Sequence, residues 1–209
     1  MPLFFQHTIN ESSRLAVWHI TETEDFFTNE VTLKNTVTHP HKRLQHLAGR
    51  YLLKYLQPDF PFDSIQIGSS KKPVLPENQF HFSISHCGDY AAAIISSKKL
   101  VGIDVELITP KIEKVKDKFL NLEELELLQK TKFSESNIEL ITLLWSAKEA
   151  LYKWYGKGSI SFKRNLPIKQ IHPTEDGGTL KAQFSKEFVQ DLDIEYRFFD
   201  SLCLAWVEG

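Results

Sequence analysis

The sequence predicts an α+β fold in which helices pack on mainly antiparallel sheet. Two observations predict it. A helix-spaced apolar pattern at Pro40–Leu56 is followed by β-rich runs whose links, Cys87-Gly88-Asp89 and Ser97-Lys98-Lys99-Leu100, are short enough for hairpins. A second helical pattern, from about residue 137 to residue 155, is followed by three more β-rich runs. No clear residue-level identity relates the two copies. The recurrence fits either two similar halves that share an interface and join near residues 98–108, or chance repetition of a common arrangement.

Each element has its own reason. Residues 15–20 (LAVWHI) are rich in β formers and read as a strand. In Pro40–Leu56, Leu44, Leu47, Tyr51 and Tyr55 recur at three and four residues and Pro58 stops the helix, while its other face carries Lys42, Arg43, Arg50 and Lys54. A short strand at 64–67 and a turn-rich stretch through Lys72-Pro73 precede strands at 80–86, 90–96 and 101–107. Residues 111–130 read as a polar helical stretch. The long helix after it ends at Gly156 and Gly158, and strands follow at 180–184, 194–199 and 202–208.

Composition narrows the function. The chain has 209 residues with 25 Lys+Arg against 27 Asp+Glu, which lacks the polybasic signature of a general nucleic-acid binder. The longest apolar runs, 90–95 and 202–207, are far short of the ~20 residues of a membrane span. Cys87 and Cys203 stand far apart without CxxC spacing, which fits a reducing cytoplasm, and the first ten residues carry no basic export signature. Nucleotide-loop, Rossmann, nucleophile-elbow and zinc-protease motifs do not occur. His39, His41 and His46, at intervals of two and five, do not stack as zinc ligands.

The residues that could do chemistry fall into three groups. In Gly102-Ile103-Asp104-Val105-Glu106 the strand period puts Ile103 and Val105 on one face and both carboxylates on the other. That is either a wet acidic face or a hard-cation site, since Mg²⁺ takes a few carboxylates and fills its shell with water and phosphate oxygens. Trp145, Glu149 and Lys153 form one stripe on the long helix. Glu149 before Lys153 is the ordinary orientation for a surface pair, yet a stripe turned towards Asp104 and Glu106 would add a third carboxylate and a cation. Ser85 and His86 stand at a strand end, and Lys71-Lys72-Pro73 is a basic loop with a fixed backbone; both also read as ordinary turn residues.

Taken in order, S-I-S-H at 83–86, G-I-D-V-E at 102–106 and W-S-A-K-E-A-x-x-K at 145–153 resemble the Sfp-type 4′-phosphopantetheinyl transferases. The basic helix H-K-R-L-Q-H-L-A-G-R at 41–50 and Lys72-Pro73 match that family in order. The resemblance implies two pseudosymmetric α+β halves, 1–100 and 101–209, with the site in the cleft between them. It implies coenzyme A as donor, Mg²⁺ as metal and a serine of an apo acyl or peptidyl carrier protein as acceptor, with a monomer as the simplest state. By position, Asp104, Glu106 and Glu149 look like the metal carboxylates, and Glu149 like the general base. Lys153 would contact the coenzyme A phosphates, Ser85 the pyrophosphate and His86 the 3′-phosphate, with Lys72 and Arg43 as further basic 3′-phosphate contacts. Arg50 competes with Arg43. The family commonly has Gly where Lys71 stands, and Ser where Cys87 stands.

Serine attack on the β-phosphorus of coenzyme A requires diphosphate charge to be neutralised and the hydroxyl proton removed. Glu149 could take that proton directly or through water, and ligation to Mg²⁺ would depress its basicity. The rivals are a Mg²⁺-dependent phosphodiesterase or nuclease, and an inactive module that binds carrier protein or coenzyme A.

Overall fold

The computed structural model describes residues 2–33, 37–68, 72–76, 79–130 and 137–209. The chain begins with β1 (Leu3–Asn10) and β2 (Ser13–His19), then α1 (Glu24–Thr28) and α2 (Pro40–Leu56). A two-stranded ribbon of β3 (Gln66–Ile67) and β4 (Pro73–Val74) leads to β5 (His81–Cys87), β6 (Tyr90–Ser96) and β7 (Val101–Leu107). After α3 (Lys116–Phe119) and α4 (Leu122–Lys130) come α5 (Ile138–Tyr155) and α6 (Phe162–Asn165). The chain closes with β8 (Ile168–Pro173), β9 (Gly177–Ser185), β10 (Val189–Phe199) and β11 (Leu202–Glu208). Antiparallel pairing gives one sheet in the order β1-β2-β6-β5 and another in the order β7-β11-β10-β9-β8. The molecule is α+β.

The sheets pack face to face through Leu15, Val17, Ala92 and Ile94 on one side and Ile103, Val105, Leu204 and Trp206 on the other. α2 covers the outer face of the first sheet and α5 that of the second. The run Ala91-Ala92-Ala93 in central β6 is fully buried, its small side chains letting helix and second sheet close in from opposite faces.

Four expectations change. The link 97–100 does not close a hairpin: β6 already has β2 and β5 on its two edges, so β7 crosses to the other sheet and pairs with β11. The buried face of α2 is Leu47, Ala48, Leu52, Leu53 and Leu56. Of the predicted stripe, Tyr51 stays at the rim edge-on to Trp18, and Tyr55 is 41% exposed with its hydroxyl on Gln6. The phenols keep their polar ends near water. The polar stretch 111–130 is three pieces, a 3-10 turn at Pro110–Val115 followed by α3 and α4. Asn121 breaks it by capping α4, its backbone N–H donating to Glu124 while its side chain accepts from the Glu124 N–H. Strands β1 and β8 and the short α6 were not expected. β1 shows the alternating half-buried and exposed positions of an edge strand.

Candidate active site

The two sheets meet along the edges β5 and β7, which are joined by side chains rather than by a backbone ladder. Ser83 Oγ accepts from the Ile103 N–H at 3.3 Å, and Cys87 Sγ from the Leu107 N–H at 3.5 Å. Alternation along β7 buries Ile103 and Val105 between the sheets and turns Gly102, Asp104 and Glu106 towards α5. Gly102 is required there, because a Cβ would stand 2.0 Å from the Ala150 carbonyl oxygen of α5.

That close approach brings the acidic strand face and the helix stripe together. Asp104 is 3% exposed and fully engaged: Oδ1 accepts from Ser85 Oγ at 2.8 Å and from Lys153 Nζ at 2.6 Å, and Oδ2 accepts from Ser146 Oγ at 2.9 Å. Lys153 also donates to Ser85 Oγ. Glu106 accepts from Trp145 Nε1 and from Cys87 Sγ, each at 3.1 Å. Glu149, one turn from both Trp145 and Lys153, is half-buried, and no hydrogen bond or ion pair engages its carboxylate among the described residues. Burial, then Asp104 and more weakly Glu106, pushes Glu149 up to about 7 against the pull of Lys153. Glu106 is raised by burial and by Asp104.

This donor set is chemically suited to a hard dication: three carboxylates repel one another around a single lysine. As the side chains stand, however, no group of three or more His, Cys, Asp or Glu residues is arranged to hold a metal ion among the described residues. The oxygens of Asp104 and Glu106 are held by Ser85, Ser146, Lys153, Trp145 and Cys87.

The opposite face of β5 opens into a cavity of about 420 Å³ lined by His46, Arg50, His86, Phe82, Ile84 and Pro73, among others. Consecutive residues on a strand point to opposite faces, so Ser85 meets the carboxylates while His86 meets this basic cavity. The rings of His46 and His86 are 5.2 Å apart, and burial lowers both from the ordinary histidine value. A second cavity of about 230 Å³, lined by Lys153, Lys72, Tyr152 and Ser83, shares Pro73, Phe82 and Ile84 with the first. Between them they are lined by Lys153 at one end and by the two histidines at the other.

The other expected cations differ in placement. Arg43 is held by Glu24 through bonds of 2.8 and 2.6 Å and does not line the cavity that Arg50 lines. Lys72 donates to the Lys153 carbonyl at the C-terminal end of α5 and packs on Gly156, whose φ of +71° ends that helix. Burial and Lys153 push Lys72 down to about 8. Lys71 lies outside the described residues. Reading for zinc passed over His46, although His46 and Arg50 are spaced by four on α2. Ser146 and Lys148, inside the W-S-A-K-E run, drew no role because both act through contacts distant in sequence.

No helix among the described residues is long and apolar enough to cross a membrane. A family model described as the 4′-phosphopantetheinyl transferase superfamily matches residues 100–206, which contain Asp104, Glu106, Glu149 and Lys153. Enterobactin synthase component D of Escherichia coli (strain K12) is 32% identical over 115 residues, 54% of each chain. The 4′-phosphopantetheinyl transferase AcpT of Escherichia coli O157:H7 is 30% identical over 55% of this chain and 59% of its own. The 4′-phosphopantetheinyl transferase psf-1 of Bacillus pumilus is 34% identical over 54% of this chain and 50% of its own. The chain thus spans about half the length of the curated relatives it matches. Since the family match covers over half of the sequence and includes the strand and helix that build the acidic seam, the chain belongs to the 4′-phosphopantetheinyl transferase superfamily.

Proposed function

We propose that this chain is an Sfp-type 4′-phosphopantetheinyl transferase, which moves the 4′-phosphopantetheine of coenzyme A to a serine of an apo acyl or peptidyl carrier protein and releases 3′,5′-ADP. The observation that carries the reading is the convergence of the strand face and the helix stripe: Glu149, a carboxylate without a protein partner among the described residues, stands on the same helix face as Lys153, which pairs with Asp104, and Trp145, which holds Glu106. In this reading the halves 1–100 and 101–209 face each other across the seam of β5 and β7, and a monomer in the cytoplasm suffices.

The two cavities share Pro73, Phe82 and Ile84, so one extended donor can reach both. Its diphosphate lies against Lys153 and Ser85, and its 3′-phosphate reaches the cavity of His46, Arg50 and His86. Arg50 replaces Arg43 in that role, because Glu24 already occupies the Arg43 guanidinium. Lys72 acts by holding the end of α5, which fixes the Lys153 backbone beside the diphosphate. Glu149 removes the proton of the carrier serine as its oxygen attacks the β-phosphorus, and Lys153 Nζ offsets charge on the departing 3′,5′-ADP. Asp104, Glu106 and Glu149 would hold Mg²⁺, which when bound neutralises the diphosphate as a Lewis acid.

The test is direct. The protein is incubated with coenzyme A, Mg²⁺ and an apo carrier protein, and intact mass reports the carrier. Gain of the phosphopantetheine mass supports the reading. Hydrolysis of coenzyme A or of nucleic acid without carrier modification overturns it in favour of a phosphodiesterase, and binding alone in favour of an inactive module.

A further inference from the structure

The W-S-A-K-E run contains one charge that the proposed chemistry does not use. Lys148 and Glu124 form an ion pair of 2.7 Å in which both side chains are 0% exposed. Lys148 Nζ spends its remaining N–H groups on the backbone carbonyls of Phe119, at 3.1 Å, and Phe162, at 3.0 Å. Glu124 in turn accepts from the backbone N–H of Asn121 and of Ile168, both at 2.8 Å. A buried ion pair contributes less stability than a well-packed apolar pair of similar volume, because both charges must be stripped of water. What it supplies is geometry, and here it pins the end of α3, the start of α4, α6 and β8 to one point on α5.

The pinned segments lead to the acidic seam. The ring of Phe119 lies 5.0 Å from that of Trp145, and the ring of Phe162 lies 5.6 Å from it. Lys148 therefore holds the backbones of the two aromatic residues that flank Trp145, and Trp145 Nε1 is the donor that fixes Glu106. We infer that the buried Lys148–Glu124 pair is a positioning device for transfer, orienting Glu106 through the Phe119–Trp145–Phe162 stack. The inference rests on the transferase reading for its consequence on rate, and on contacts alone for its consequence on Trp145.

The experiment uses the full chain with both readouts. Lys148→Met combined with Glu124→Gln removes both charges and leaves neither ion unpaired. The double variant should keep its circular dichroism yet lose ~10–100-fold in kcat, the scale of an ångström-level misplacement. Its KM for coenzyme A should change by a smaller factor than kcat, because the donor keeps Lys153 and the histidine cavity. In the ¹⁵N-labelled protein, the Trp145 indole resonance, assigned by its loss in Trp145→Phe, should move while those of Trp18 and Trp206 stay. Phe162→Leu leaves the buried pair intact and should shift the same resonance, so the path remains testable even if the double variant does not fold. An unmoved Trp145 resonance in a folded double variant, or in Phe162→Leu, overturns the inference. If wild type modifies no carrier, the transferase reading fails, while the indole measurement still decides whether the pair positions Trp145.

Discussion

Gly102→Ala places one methyl group where the fold has no room for it. The new Cβ would stand 2.0 Å from the Ala150 oxygen, 2.7 Å from the Trp154 nitrogen and 2.9 Å from the Ala150 carbonyl carbon, all helix backbone, whereas ordinary contact begins at 3.4 Å. No rotamer change can relieve this clash, so β7 and α5 must separate by ~1 Å or more, at the ~1–3 kcal/mol typical of overpacking. For a chain of this size that lowers Tm by roughly 2–12 °C. The same separation acts on the 2.9 Å bond from Ser146 and the 2.6 Å pair with Lys153, both of which span strand and helix at Asp104. Transfer should fall ~100-fold, more than stability alone explains, because the groups that must converge are displaced together. Thermal melts and intact-mass assays on the same preparation separate the two effects. A Gly102→Ala protein with wild-type Tm and wild-type transfer would refute the dependence of the site on this strand-to-helix approach.

Asp104→Ala and Glu149→Gln should each reduce transfer by ~100-fold or more with unchanged circular dichroism, and turnover near wild type in either would remove the acidic seam from the chemistry. Because Glu149 is raised from 4.5 to about 7, the folded protein binds its proton more tightly than the unfolded chain does. Its contribution is thus present at low pH and lost as pH rises through about 7, so the Tm advantage of metal-free wild type over Glu149→Gln should shrink across that window. A constant difference would argue against the shift. Arg50→Ala should raise the KM for coenzyme A and leave that for 3′-dephospho-coenzyme A unchanged, whereas Arg43→Ala should change neither; the opposite pattern restores Arg43 to the 3′-phosphate. Lys114 and Lys118, exposed just after the acidic strand, form a basic rim that Glu113 and Asp117 dilute. Reversing both lysines to Glu should raise the carrier KM ~3–10-fold at low salt without affecting coenzyme A, and an unchanged KM places carrier docking elsewhere.

The acidic seam was legible where local periodicity governs. Period two alone separates Asp104 and Glu106 from Ile103 and Val105, and spacing by four alone aligns Trp145, Glu149 and Lys153. Neither period says which partner lies opposite, so Ser146 on Asp104, Trp145 on Glu106 and Lys148 on Glu124 emerged only from the fold. Arg43 and Arg50 show the same limit: both lie on α2, and only the fold shows Arg43 paired with Glu24 of α1 while Arg50 lines the histidine cavity. Where β7 pairs was also illegible, because a four-residue link suits a hairpin as well as a crossover, and the answer depends on β2 having filled the other edge of β6. The break before α4 was a different kind of miss, since Asn121 and Glu124 already spell a capping box.

The seam itself explains why small polar residues occupy alternate positions of β5. An edge strand exposes backbone N–H groups that must find partners when buried. β7 buries its edge against β5 without forming a ladder, and Ser83 and Cys87 accept from two of the N–H groups that a neighbouring strand would otherwise have taken, those of Ile103 and Leu107. Ser85, between them, is left to donate to Asp104, and Cys87 donates in addition to Glu106. The pattern Ser83-x-Ser85-x-Cys87 therefore joins the two sheets and holds the acidic strand face with the same side chains. A backbone ladder would have tied the edges together but brought no hydroxyl to Asp104, so the side-chain join is what lets a structural seam also carry the hydroxyl and thiol that engage Asp104 and Glu106.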